Sequence, residues 1–277
     1  MAIINSKRVI GNYSQKKIYV VITLLFSLLF VSCKDETGVG APTTNYSDQA
    51  KKVLEVALDS IKKADPEYPG GLALQVIYPG GQFFQQTGFT NAVTSTTHFR
   101  AASNTKTFTS TAILLLHQRG RLNINHKITD TIPGTTMTYV PEDQNYAIPF
   151  KNEITILQLL QHRAGVFDVA NDMIPDSISA SVPYKNDWYM EYIKATNPTH
   201  TFTFDEMVGV VATTGLYYFR PGADFHYSNT GYSMLGKIIE RVSGKLYGQF
   251  ITDEIIKPMG LISSTMPALG TDRELPQ

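Results

Sequence analysis

The chain has 277 residues, 43% hydrophobic and 17% charged, a globular profile long enough to bury one large core or two smaller ones. Its 24 basic residues balance 24 acidic ones, but four basic side chains (Lys7, Arg8, Lys16, Lys17) crowd the first 32 residues, where no acidic residue stands. The remainder is therefore mildly acidic, which excludes the basic footprint of a nucleic-acid binder.

In chain order, the basic start runs into IYVVITLLFSLLFVS, a mostly apolar stretch that ends at Cys33. A spanning helix needs about 20 apolar residues, so this stretch reads as the apolar region of a secretory leader. Residues 29–33, LFVSC, resemble the lipobox of bacterial lipoproteins, with Phe30 where Leu is more usual. That resemblance implies a leader over 1–32, lipidation of Cys33 and a flexible tether over 33–46. It also implies anchoring in the bacterial envelope, at the outer membrane, on its periplasmic or surface face. The KDE after Cys33 resembles an export signal of Bacteroidetes lipoproteins, with an ordinary charged linker as the competing reading; for the lipobox the competing reading is a plain signal peptide or short anchor. Cys33 is the sole cysteine, so neither an intrachain disulfide nor a cysteine-based metal site is possible.

Ser47 is expected to cap a first helix running to about Ala64, stopped by DPEYPGG. LALQVIY, PGG and QFFQQTGF then read as a β-hairpin. From Thr105 to Gln118 the spacing predicts a helix, with Phe108, Ala112, Leu115 and Leu116 on one face and Gly120 beyond its end. Residues 121–153 read as loops. ITILQLLQHRAG reads as a short helix that starts at Thr155, with Gly165 beyond its end. Residues 167–205 read as a partly irregular helical insertion. After the Pro-Gly turn of FRPGADF, a helix is expected from about Gly231 to Val242, and a last one over YGQFITDEIIKPMG. Two adjacent strands make a poor independent sheet, so an α+β domain of this order should return to its sheet after residue 260.

Ser103 stands three residues before Lys106 at the head of the helix that carries AILLL. Acyl transfer needs a hydroxyl, a proton acceptor and donors for the oxyanion. A helix start offers free backbone N–H groups and a favourable dipole, and a lysine one turn on can reach the serine. Ser-x-x-Lys also occurs at Ser14–Lys17, in the leader, and at Ser60–Lys63, on a solvated helix end, so context selects Ser103. Tyr-x-Asn occurs at Tyr227–Asn229 and at Tyr184–Asn186, and only the first precedes a long apolar helix. His162 reads as a hydrogen-bonded packing residue, and Asn104 and Thr105 as capping or solvating the helix start. No histidine pair has metal-ligand spacing, so neither a metal nor a cofactor is expected.

Together, SNTK, ITILQLLQHRAGV, YSNTGYSMLGKIIERVSGKLYGQF and IIKPMGL resemble, in order, the serine β-lactamase and penicillin-binding-protein superfamily. The branch is that of class C β-lactamases, D-Ala-D-Ala carboxypeptidases and esterases. The resemblance implies an α+β fold, an α/β sandwich with an antiparallel sheet beside an all-helical lobe at about 121–230, within a domain over 47–277. It implies that Ser103 is the nucleophile, that Lys106 assists its deprotonation and that Tyr227 relays the proton to the leaving group. Asn229 would bind the substrate amide carbonyl and help hold Lys106, and the backbone N–H of Ser103 would serve the oxyanion. The implied partner is a small-molecule or peptidoglycan-derived peptide substrate, cleaved at an amide or ester.

The superfamily's third motif, Lys-Thr-Gly or His-x-Gly, has no match, since KTF at Lys106 and HTF at His200 lack the glycine. In relatives it lies much further on than the 50 residues that follow Tyr227. The expectation is therefore a C-terminally truncated chain whose sheet lacks its last strands. It would be poorly active, since one lost oxyanion donor costs ~10²–10³ in rate. Rival readings are a non-catalytic peptidoglycan- or peptide-binding lipoprotein and an inactive gene fragment. The intact set Ser103, Lys106, Tyr227 and Asn229 weighs against loss of catalysis. Residues alone leave open the choice among β-lactam, D-amino-acid peptide and ester, and the oligomeric state.

Overall fold

The computed structural model describes residues 45–91 and 93–267. Cys33, the leader and nearly all of the tether lie outside the described residues. The chain divides at residue 99/100 into two compact units.

In the first unit, helix α1 (Tyr46–Ala64) has a strongly amphipathic sequence and buries Leu54, Ala57 and Leu58. Its cap is Asn45, not Ser47: the Asn45 side chain accepts from the Asp48 N–H, and the Ser47 hydroxyl instead accepts from Gln85. Strands β1 (Leu72–Tyr78) and β2 (Gly81–Thr87) form an antiparallel hairpin in register from Leu72↔Thr87 to Tyr78↔Gly81. Among the described residues this hairpin is the whole sheet, and everything else regular is helical. The expected α/β sandwich is thus represented by a small antiparallel sheet.

The second unit holds α2 (Thr105–Gln118), α3 (Ile156–Leu160), α4 (Tyr189–Thr196), α5 (Phe204–Thr214), α6 (Asn229–Ser243) and α7 (Tyr247–Ile251). α6 is its centre and packs against α2, α3, α5 and α7. Its buried stripe runs Thr230, Met234, Leu235, Ile238, Ile239 and Val242, the i, i+4 rows of a helix with one dry face. Close approach to α5 is possible because Gly236 has no side chain: a Cβ there would lie 2.5 Å from the Phe204 ring.

α2 spans the expected residues but is rotated from the expected face. Thr109, Ala112, Ile113 and Leu116 are buried, whereas Leu115 is half-buried. Asn104 makes no side-chain capping bond; a 3-10 turn over Ala102–Asn104 leads into the helix instead. α3 starts at the expected Thr155 with a full capping box: Thr155 Oγ1 accepts from Gln158 N, and Gln158 Oε1 accepts from Thr155 N. Residues 121–153 are irregular, yet they bury Ile128, Tyr139, Val140 and Tyr146 completely. The 167–205 segment is less helical than expected, with α4 its one α-helix before Phe204. The last helix breaks into α7 and a π-helical turn over Thr252–Ile256, which keeps Ile255 and Ile256 buried.

Candidate active site

Two loops of the second unit are joined side by side, and this brings the site together. Tyr218 N donates to Gly165 O, Gly222 N to Arg163 O and His226 N to His162 O, with a β-bridge at Val166↔Tyr217. The segment after α3 is thereby laid along the segment before α6. Gly165 permits it: its φ is +69°, and a Cβ would lie 2.0 Å from the Phe219 carbonyl oxygen. Ser228 then caps α6 by accepting from Gly231 N, which fixes Tyr227 just ahead of the helix and Asn229 as its first residue.

Against this corner stands the head of α2. Ser103 lies in the 3-10 turn and is exposed, next to Ala102, whose φ of +45° is costly for a residue with a Cβ. Ser103 Oγ is 2.6 Å from Tyr227 Oη, a contact across 124 residues of sequence. Lys106, one turn on and half-buried, donates from Nζ to Asn229 Oδ1 at 2.5 Å. Its ammonium also sits 4.8 Å from the centre of the Tyr227 ring and 5.4 Å from that of Tyr232. Lys106 was read as able to reach the serine oxygen and Asn229 as helping to hold it; among the described residues the ammonium's hydrogen-bond partner is Asn229, and the serine's is Tyr227.

The other Ser-x-x-Lys and Tyr-x-Asn pairs have different partners. Ser60 Oγ donates to Val56 O within α1, and Tyr184 packs edge-on against Tyr189. Ser14 lies outside the described residues.

His162 packs behind the tyrosine, its ring 4.5 Å from that of Tyr227 and stacked at 4.8 Å on Tyr232. Its Nδ1 accepts from Ser228 N at 3.1 Å, so the neutral ring carries its proton on Nε2. Burial, then the positive charges of Lys106 and His226, push its pKa down to about 4. A ring that must accept a backbone N–H cannot serve as a proton donor there.

Sequence reasoning missed Asp168. It is 1% exposed, and its carboxylate accepts from Asn229 Nδ2 at 3.0 Å, Asn171 Nδ2 at 2.8 Å and Ala170 N at 3.1 Å. Burial pushes its carboxyl pKa up, the three hydrogen bonds oppose this, and nearby Asp172 adds to the rise. No local pattern marks GVFDVAND as part of a site; only the fold carries Asp168 to the amide of Asn229.

A serine hydroxyl bonded to a tyrosine oxygen can pass its proton to that oxygen when the tyrosine is a phenolate, and an ammonium beside the ring balances the phenolate's charge. Residues 63–273 match the family model described as Beta-lactamase. "Protein flp" of Staphylococcus aureus (strain NCTC 8325 / PS 47) is 34% identical over 166 residues, 59% of this chain and 27% of that protein. "Penicillin-binding protein 4*" of Bacillus subtilis (strain 168) is 31% identical over 165 residues, 59% of this chain and 29% of that protein. Among solved structures, a D-stereospecific amidohydrolase from Streptomyces sp. superposes with a TM-score of 0.59 at 27% identity, covering 80% of this chain and 56% of that one. A D-amino acid amidase from Ochrobactrum anthropi SV3 shares the fold at a TM-score of 0.55 and 23% identity, covering 83% of this chain and 53% of that one. The chain thus spans less than a third of these two curated relatives and just over half of these two solved chains. The fold is β-lactamase/transpeptidase-like, and with three-quarters of its length matched by the family model, the chain belongs to the beta-lactamase family.

Proposed function

We propose that the chain carries the acylating centre of a serine hydrolase that cleaves an amide or ester, with D-amino-acid amides, peptides and β-lactams as the candidate substrates. The observation that carries this reading is the 2.6 Å bond between Ser103 Oγ and Tyr227 Oη beside the Lys106 ammonium. Tyr227 as phenolate, stabilised by Lys106, takes the serine proton as Oγ attacks the substrate carbonyl carbon. The carbonyl π electrons move to oxygen, which the backbone N–H of Ser103 receives. Collapse of that intermediate breaks the bond to the leaving group, to which Tyr227 returns the proton, leaving an acyl ester on Ser103. Water then attacks the ester, with the same proton path in reverse. Asn229 has a role on each side: Oδ1 accepts from Lys106, and Nδ2, which donates to the Asp168 carboxylate at 3.0 and 3.3 Å from its two oxygens, would turn its second hydrogen to the substrate's amide carbonyl.

The test is covalent labelling of the chain with a fluorescent penicillin and, separately, an activated ester. The expected result is one acyl adduct on the Ser103 peptide, absent in Ser103→Ala. Labelling that persists in Ser103→Ala would refute the assignment. We further propose, from the leader and lipobox alone, that Cys33 is lipidated and holds the protein in the bacterial envelope. Metabolic incorporation of labelled palmitate should then disappear in Cys33→Ser; unchanged incorporation would count against it.

A further inference from the structure

The orientation of the Asn229 amide is decided by its two neighbours. An ammonium can only donate and an ionised carboxylate can only accept, so Oδ1 must face Lys106 and Nδ2 must face Asp168. Asp168 cannot turn away from this task. It is buried, it is gripped by Asn171 Nδ2 and Ala170 N, and its own N–H donates to the Tyr218 hydroxyl at 2.9 Å. Tyr218 in turn donates to the Asp172 carboxylate and stacks on His226 at 3.6 Å, the residue next to Tyr227. A continuous polar path therefore runs from the inside of the unit to the ammonium beside Tyr227.

We propose that Asp168 is a positioning residue of the acylating centre: it holds the Asn229 amide so that Oδ1 stays on Lys106 and one N–H stays free for substrate. This rests on the hydrolase reading above, and it concerns a residue that touches neither substrate nor reacting atoms. Without the carboxylate, the amide can flip, which would aim an N–H at the ammonium and release Lys106 from the Tyr227 ring. A misplacement of that kind costs up to roughly 100-fold in rate.

The acidic side of the pH profile should report it, because burial raises the Asp168 carboxyl. The charged or titratable groups around it are Asp172 on its own loop, Tyr218, His226 and Tyr227 on the segment ahead of α6, and Lys106 across Asn229.

The experiment compares the 277-residue chain with Asp168→Asn and with the reciprocal exchange Asp168→Asn/Asn229→Asp, using the activated ester. Asp168→Asn should acylate roughly 10- to 100-fold more slowly, with a melting curve that remains cooperative and an acid limb that is lost. The exchange restores an acceptor for Lys106 and a donor–acceptor pair behind it, so the acylation rate constant should recover. Apparent substrate affinity should stay weak, because a carboxylate at 229 has no N–H to offer. Asp168→Asn acylating at the parent rate with the parent acid limb would overturn the proposal, as would an exchange variant that folds but recovers nothing. Exchange of the Asn229 side-chain amide protons, followed by NMR and assigned by their loss in Asn229→Ala, gives a readout that needs no activity. Slow exchange in the parent and fast exchange in Asp168→Asn supports the proposal; equal rates refute it. Absence of any label on Ser103 in the parent would instead refute the hydrolase reading and leave the exchange result to decide Asp168.

Discussion

At the residue scale, His162 combines a positive φ of +56°, an obligatory acceptor nitrogen and a position near the Lys106 ammonium. Its folded pKa, about 4, lies below the ordinary value of 6.5, so the fold favours the neutral ring. The stability this contributes is complete above pH 6.5 and is lost as pH falls toward 4. The loss should be about 1–2 kcal/mol, after discounting for water that still reaches a half-buried ring. His162→Asn keeps an acceptor and tolerates the left-handed backbone, so urea midpoints of that variant should be flat between pH 6.5 and 4 where the parent's decline. A parallel decline in both would contradict the assignment. Tyr227→Phe removes only the hydroxyl that meets Ser103. It should slow acylation by about 10²–10⁴-fold while changing stability by about 1 kcal/mol or less, as read from labelling rates and melting curves.

At the scale of elements, the site depends on the loop that follows α3. Gly165→Ala would force a Cβ onto the Phe219 carbonyl at a backbone angle that favours glycine. A loss of about 2–4 kcal/mol in denaturant unfolding is expected, together with loss of Ser103 labelling as the Val166↔Tyr217 pairing opens. Thr155→Ala tests the other end of the same helix: it removes one arm of the capping box and should cost about 1 kcal/mol with labelling retained. These two elements differ in how much the sequence reveals. The Thr155 cap is a local pattern, Thr-x-x-Gln before an apolar turn, and it reads directly. The need for Gly165 arises from a carbonyl more than fifty residues away, and no local pattern encodes it. The same contrast explains α2. Its ends follow from turn chemistry, but its buried face is set by α6, α7 and the π-helical turn, which choose Ile113 over Leu115.

At the scale of the molecule, the two units differ in how much apolar surface they bury. Between residues 45 and 91, Leu54, Ala57 and Leu58 are the buried hydrophobic side chains, whereas the second unit has a core from Ala112 to Ile256. Local stability follows buried apolar contact, so amides of β1 and β2 should exchange with deuterium on the order of 100-fold faster than those of α2 and α6. Equal protection in peptide-resolved exchange would show that the hairpin unit draws stability from elsewhere. The catalytic candidates all sit in the second unit, on elements whose packing centres on α6.

Residue type and short-range spacing determined α1, the β1–β2 hairpin, the ends of α2, the course of α6, the Thr155 cap and the choice of Ser103, Lys106, Tyr227 and Asn229 as candidates. Each of these rests on hydrogen-bonding or periodicity within a few neighbouring residues, or on motif order along the chain. Tertiary structure alone decided that the Ser103 hydroxyl meets Tyr227 and not the Lys106 ammonium, that Asp168 stands behind the Asn229 amide, and that Ser47 turns to Gln85. A buried carboxylate is stable only where several donors converge on it, and those donors come from segments that folding alone brings together. Asp168 was thus one acidic letter among 24 in the sequence and became part of the candidate site through its partners.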